Sequence, residues 1–227
     1  MRFDIITIFP KIFDSYFNES IIKRAREHGL IDIRVHDLRR FSDDKHKKVD
    51  DRPYGGGPGM VFKIDPIIKA LGSILSIKYK VSSIKYKKML IILFSAGGKQ
   101  FNQRMAQRMS KKYDRIVMIA GHYEGIDERV KYLIHNTGYL IQELSIGPYV
   151  LTGGEIPAMV IVDAISRQIP GILGKHESLE EKRQGIGVPA YTRPEIFKYK
   201  NKTYRVPKIL LSGDHKKIEE WRRIHKK

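Results

Sequence analysis

The chain has 227 residues, enough for one large domain with a small appendage and a core that needs no disulfides. It contains no cysteine, which excludes disulfides, thiolate zinc sites and cysteine nucleophiles and points to a reducing, cytoplasmic setting. Lys and Arg number 43 against 25 Asp and Glu, a net charge of +18 that favours a polyanionic partner such as nucleic acid through counterion release.

The amino terminus "RFDIITIF" alternates in polarity and is rich in β-branched residues, which predicts a strand. Asp4 and Pro10 interrupt its apolar character, and no apolar run approaches the ~20 residues that cross a bilayer, so no membrane partner is expected. Helical spacing follows through Ile12, Phe13, Tyr16, Phe17, Ile21, Ile22 and Ala25 and stops at Gly29; "IDIRVHDL" is a second strand. After "VDDRPYGGGPGM", Asp65 and Pro66 start a helix to about Leu75, and a lysine-rich connection leads to the buried strand "KMLIILF". A strand, a loop and a helix then recur. "SAGGKQ" precedes a helix near Phe101 to Lys111, "RIVMIA" gives way to "GHYEG" and a helix from Asp127, and "GYLIQEL" meets "SIGPYVLTGGE" and a helix ending near Ser166. This order predicts an α/β fold with a largely parallel sheet. Residues 170 to 194, with prolines, glycines, many charges and little periodicity, form a linker, and Asp214 caps a helix carrying Ile218, Trp221, Arg222 and Ile224 in a small carboxyl-terminal helical domain. From Phe197 onward there are 11 basic residues against three acids, so the basic excess is concentrated there.

Three consecutive strands end in glycine-bearing loops, "FSAGGKQ", "AGHYEGIDER" and "SIGPYVLTGGE", and in an open parallel sheet ligands bind at that edge. None has the spacing of a pyrophosphate fingerprint, and Lys99 lacks the upstream glycine of a P-loop, which disfavours a nucleotide hydrolase. A nucleoside without phosphates fits better, read by backbone groups and walled by Ile146, Tyr149 and Leu151. Taken singly, each loop is better read as an ordinary strand-to-helix turn; their joint occurrence carries the reading.

In this order and at these spacings, "VDDRPYGGGPGM", "YEGIDERV", "SIGPYVLTGGE", "PAM", "SRQIPG", "YTRPE" and "LLSGDHKKIEEWR" closely resemble the bacterial tRNA (guanine-N(1))-methyltransferase family, TrmD, over nearly the whole chain. The resemblance implies a SPOUT-class enzyme whose cofactor loops form a deep trefoil knot. It would work as a homodimer that methylates N(1) of the guanine immediately 3′ of a tRNA anticodon, with S-adenosyl-L-methionine as donor. Topology rules alone argue against a knot. The implied organisation is a methyltransferase domain over residues 1–167, an interdomain linker over 168–194 and a tRNA-binding helical domain over 195–227. The family pattern also admits Mg2+, for which no residue is assigned as ligand.

By match to the family, Ser95, Gly98, Gly121, Tyr123, Glu124, Ser145, Ile146, Gly147, Tyr149, Leu151, Gly153 and Gly154 surround the cofactor, with Glu124 answering its positive charge. Ala96 and His122 stand where proline and arginine are frequent, and neither change removes a backbone contact. Methyl transfer to N(1) needs a base for the departing proton and a cation for the charge that grows on the guanine oxygen. Arg167 matches the family's catalytic arginine, although a residue at a helix end also serves the helix dipole. The family's linker aspartate is absent: Lys182 stands at or beside its place and Gly187 replaces a second acid, leaving Glu181, then Glu180, as candidate bases. Their absence of periodic context equally suits a solvated charge cluster. A cofactor- and tRNA-binding homologue with weak or lost catalysis is therefore the alternative. Tyr54, Gly55, Gly56 and Gly57 match the loop that receives the flipped guanine, where a side chain would occupy the base's space. Asp50 is the candidate for the guanine donor edge and Arg52 for a phosphate, while Lys45, His46 and Lys47 suit RNA or water. Lys216, Arg222 and Arg223 are expected to form one basic surface for the anticodon arm, with Trp221 in the core, in a terminal domain that is short for the family.

Overall fold

The computed structural model describes residues 1–75, 88–173 and 187–225. Two compact units result, Met1–Ile172 and Leu173–Lys227. In the first, β1 (Arg2–Thr7), β2 (Asp32–Asp37), β5 (Met89–Gln100), β6 (Arg115–Ile119) and β7 (Leu140–Ser145) form one sheet in the order β2-β1-β6-β5-β7. Every pairing in it is parallel, as the alternation of strands and helices predicts.

A parallel sheet must be covered on both faces, and two apolar clusters do this. On one face Phe3, Ile5, Leu90, Ile92, Ile116 and Met118 pack against α1 (Asp14–Phe17), α2 (Ser20–Glu27), α4 (Gln103–Lys112) and α6 (Glu155–Ser166). On the other, Ile6, Ile91, Leu93, Val117 and Ile119 meet α3 (Ile64–Leu75) and α5 (Arg129–Asn136). Asp4, fully buried in the central part of the sheet, is ion-paired to Arg2 and Arg115 and hydrogen-bonded to His36 Nε2, each at 2.8 Å. Burial pushes this carboxyl up, but hydrogen bonds from His36, Arg2 and Arg115 outweigh it and hold Asp4 well below the usual carboxylate range.

Some elements differ from the sequence expectation. The single helix expected from Ile12 to Ala25 is a 3-10 turn over Pro10–Phe13 followed by α1 and α2, broken at Asn18, with Ser20 at φ 49°. β5 runs on through "SAGGKQ", expected as a loop, because Lys99 and Gln100 rejoin β7 beyond a register shift after Phe94. A short ribbon of β3 (Asp50–Asp51) and β4 (Val61–Phe62) frames the glycine stretch.

The second unit carries more than helices. β8 (Ile196–Tyr199) and β9 (Lys202–Arg205) pair as an antiparallel hairpin ahead of α7 (Lys208–Leu211) and α8 (His215–Ile224). Asp214 caps α8 as expected, its carboxylate accepting from the Lys217 amide at 3.2 Å. Trp221 is half-buried rather than core, stacked on His225 with centroids 4.2 Å apart and edge-on to Tyr191. Among the described residues, no helix is long and apolar enough to cross a membrane.

Candidate active site

Strands β6, β5 and β7 are neighbours, so the loops leaving their carboxyl ends converge. They enclose a cavity of about 390 Å3. Ser95, Gly121, Tyr123, Glu124, Ser145, Ile146, Tyr149, Leu151, Gly153 and Gly154 all line it, as do Leu93, Val150 and Pro157. Gly98 and Gly147 do not, and act through packing instead. A Cβ on Gly98 would lie 2.8 Å from the Leu144 amide nitrogen, so its bareness lets β5 press against β7, and one on Gly147 would strike the Tyr149 ring. Gly154 is equally constrained, since a Cβ there would sit 2.6 Å from Ala120 Cα. The Ser145 hydroxyl donates to the Gly147 carbonyl at 2.7 Å and so shapes the turn.

Three carboxylates line the cavity: Glu124, Glu128 and Glu143. Lys131, also in the lining, reaches Glu128 and Glu143 at 2.7 Å each. Partial burial pulls its ammonium down, but the hydrogen bonds to Glu128 and Glu143 outweigh that and raise it above the usual value. Glu124 has no ion pair among the described residues, so an acidic pocket sits in a strongly basic chain.

Behind the pocket lies a polar brace. Glu155, 3% exposed at the start of α6, accepts from the Thr7 hydroxyl at 2.6 Å and shares a 2.6 Å hydrogen bond with His122 Nε2. Thr7 in turn accepts from the Phe9 amide at 2.9 Å, and Phe9 packs edge-on to His122 with ring centroids 5.0 Å apart. One buried carboxylate thus ties β1, the 121–125 loop and α6 together. Sequence reasoning missed this brace. Glu155 ends the "TGGE" motif, but Thr7 lies 148 positions away and nothing in the spacing pairs them.

The glycine stretch meets the same loop. The Glu124 amide donates to the Met60 carbonyl at 3.1 Å, the Phe62 amide to the Gly125 carbonyl at 3.0 Å, and the Asp127 amide to the Phe62 carbonyl at 3.1 Å. Gly55, Gly56 and Gly57 have φ of +88°, +79° and +107°, and a Cβ on any of them would meet no atom within 4 Å. Their need for glycine is therefore conformational, and the space above them is open. Gly59, not singled out from the sequence, is the sterically tight one: a Cβ there would lie 2.6 Å from Glu124 Cγ. Asp50 is half-buried in β3 opposite Phe62, while Arg52 and Tyr54 are exposed on the loop.

Arg167 is not at this cavity. It closes α6 at the end remote from Gly154, roughly 20 Å away along the helix axis. There it lines a second cavity of about 410 Å3 with Tyr16, Gln103, Met159, Val160 and Asp163. The Tyr16 hydroxyl donates to Asp163, and burial together with that bond pushes Tyr16 up to about 12. Glu180, Glu181 and Lys182 lie outside the described residues, and Gly187, at φ +87°, opens the described stretch 187–225. On α8, Lys216 and Arg223 are seven residues apart and share a face, whereas Arg222 turns toward the side of Ile218 and Trp221, so the three do not form one surface. Arg223 is 3.9 Å from Glu220. Among the described residues, no group of three or more His, Asp or Glu is placed to hold a metal ion.

The sequence pattern of the family described as tRNA (Guanine-1)-methyltransferase TrmD matches residues 1–227. The chain belongs to the TrmD family. Its relatives include the tRNA (guanine-N(1)-)-methyltransferase of Clostridioides difficile strain 630, 48% identical over 226 residues, 98% of this chain and 91% of that protein. Those of Dictyoglomus turgidum and Carboxydothermus hydrogenoformans are 49% and 46% identical over 98% of this chain and 84% and 81% of theirs. The matches run through both units, so the TrmD assignment covers the hairpin and α8 as well as the cavity.

Proposed function

We propose that the protein transfers a methyl group from S-adenosyl-L-methionine to N(1) of the guanine immediately 3′ of a tRNA anticodon, as a cytoplasmic homodimer with the knotted SPOUT topology of its family. Membership of a family whose relatives are named for guanine-N(1) methylation of tRNA supports the reaction, and favours it over a homologue that only binds. The observation that carries it to this site is that Met60 and Phe62, which close the glycine stretch, are stitched to the 124–127 segment by three main-chain hydrogen bonds. Two bare backbone surfaces, one open and one walling a cavity, are thereby held side by side.

The cavity fits the donor on its own chemistry. Its volume lies within the ~300–1,000 Å3 usual for ligand sites. Leu93, Ile146, Leu151 and Pro157 offer apolar walls for an adenine, backbone groups of the 146–154 loop suit its polar edge, and Glu124, without an ion pair among the described residues, suits a positive centre. When bound, the cofactor supplies an electrophilic methyl group on sulfur. The chain's part is to seat the guanine over Gly55–Gly57, with Asp50 and Arg52 beside it, to take the N(1) proton on a carboxylate, and to balance the oxygen's growing charge with a guanidinium. Glu181 or Glu180 is the proposed base and Arg167 the proposed guanidinium. Because Arg167 closes α6 far from its own chain's cavity, the guanidinium at each site comes from a second copy. Exposed apolar residues on the same stripe of α6, Ile156 and Val160, give that copy a face to cover. Lys216 and Arg223 are proposed contacts to the anticodon arm, with Arg222 flanking them.

Methyl incorporation from labelled S-adenosylmethionine into tRNA with guanine 3′ of the anticodon, against the same tRNA with adenine there, tests the proposal. Incorporation confined to the guanine substrate is expected; none, with cofactor binding intact, overturns it.

A further inference from the structure

The β8–β9 hairpin presents a surface that the reaction has not used. Its register sets Phe197 opposite Tyr204 and Tyr199 opposite Lys202, and residues two apart on a strand share a face. Phe197, Tyr199 and Tyr204 therefore stand on one side of the ribbon. Their side chains are 55%, 57% and 52% exposed, and every other residue of the two strands is exposed as well. Phe197 and Tyr199 lie nearly parallel, 8° apart with centroids at 6.4 Å, and the Lys200 ammonium is 5.6 Å from the Tyr199 ring.

A two-stranded ribbon gains little from its own burial, and three aromatic rings held in water are costly surface unless something covers them. Charge identifies what that is. From Ile196 to Gly213 the sequence has five basic residues, Lys198, Lys200, Lys202, Arg205 and Lys208, and no acid. Such a ribbon cannot face another copy of itself without setting like charges against like. Flat rings interleaved with cations are the chemistry that takes single-stranded nucleic acid, bases on the rings and phosphates on the ammonium groups. We propose that the aromatic face of the β8–β9 hairpin stacks on unpaired bases of the substrate tRNA. This rests on the tRNA reading above, and it places a sequence-tolerant grip on the hairpin, separate from the phosphate contacts of α8.

The test compares the full-length wild type with a Phe197→Leu/Tyr199→Leu/Tyr204→Leu variant, which keeps apolar bulk and loses the rings, and with Lys202→Ala, which removes the lysine that shares the ring face opposite Tyr199. The affinity for tRNA is measured by fluorescence anisotropy across a range of salt concentrations. With the stacking surface lost, the ring-less variant should bind roughly 10- to 100-fold more weakly with its salt slope unchanged. The lysine variant should instead show a flatter slope. Tyr204→Phe keeps the ring and should bind as wild type does, a control that holds if the triple variant melts early or loses cofactor binding. In that case Phe197→Leu alone, folded and cofactor-competent, should still weaken tRNA binding severalfold. Ring-less variants that bind tRNA within about twofold of wild type overturn the stacking, as does a change in their sedimentation mass, which would make the face a self-association surface. A wild type that binds no tRNA at all overturns both this proposal and the reaction.

Discussion

Glu155 is a charged residue with almost no exposure whose two oxygens hold partners from different elements, Thr7 on β1 and His122 on the loop after β6. Removing it would leave the Thr7 hydroxyl proton without its acceptor and His122 Nε2 without its partner, which costs ~1–3 kcal/mol per buried group. Because His122 precedes Tyr123 and Glu124 of the cavity, that cost should fall on ligand binding as well as on folding. Glu155→Gln keeps one accepting oxygen but turns an amide donor toward a partner. It is expected to weaken S-adenosylmethionine binding about tenfold by calorimetric titration, with a fold that still melts cooperatively, and Glu155→Ala to do worse on both counts. An unchanged cofactor affinity in Glu155→Ala would show the brace to be structural only. Asp4 is the converse case, a buried carboxylate remote from the cavity. Its folded pKa is depressed by His36, Arg2 and Arg115, so its stabilisation is complete above the ordinary Asp value of ~3.9 and drains away as pH falls below it. Urea melts between pH 6 and pH 3 should show Asp4→Asn to be less stable by ~3–5 kcal/mol at the upper end, with a shallower loss toward acid than wild type.

At the scale of elements, the glycine stretch separates two demands that the sequence presents as one. Gly55–Gly57 adopt positive φ in open space, whereas Gly59 makes room for Glu124. Gly56→Val places a β-branched residue where φ is +79°, at a strain of ~1–3 kcal/mol, and fills the space above the loop. It should cut kcat/KM for tRNA at least tenfold while leaving cofactor affinity within about twofold. Gly59→Ala should instead displace Glu124 and weaken the cofactor, and equal effects of the two substitutions on both ligands would contradict this division. The alternation of strand and helix was legible because buried strands such as "KMLIILF" read as continuous apolar runs, and the converging loops followed from it. Three features were not. The break at Asn18 lies inside an unbroken helical period, β3 and β4 are two residues each, and "IFKY" with "KTYR" buries neither face, so no contrast between faces marks the hairpin as sheet. Within the site, the glycine loops and the family resemblance pointed to residues adjacent in one loop and missed Lys131, Glu143 and Thr7, whose partners come from other strands and helices.

Across the whole molecule, the role proposed for Arg167 fixes how many chains must make one site. Helix α6 begins at the cavity with Gly154 and Glu155 and ends roughly 20 Å away with Arg167, a separation no rotamer of the same chain closes. Ile156 and Val160, on the stripe that leads to Asp163 and Arg167, remain exposed on a helix otherwise built for burial. A symmetric pairing along that stripe would bring one chain's helix end toward the other's cavity. Two inactive variants then become informative together. Gly154→Val blocks the cavity wall against Ala120, and Arg167→Ala removes the guanidinium. Co-expressed at equal levels, they should assort so that half the dimers are mixed, each with one site whose cavity and arginine are both intact, restoring about a quarter of wild-type methylation. If Arg167 serves its own chain, the mixed dimer has no complete site and activity stays at the level of the single variants. Methyl incorporation into tRNA by the purified, doubly tagged mixed dimer measures this directly. Recovery to about half of wild-type turnover per dimer is the expected result, and recovery of none would place catalysis within one chain.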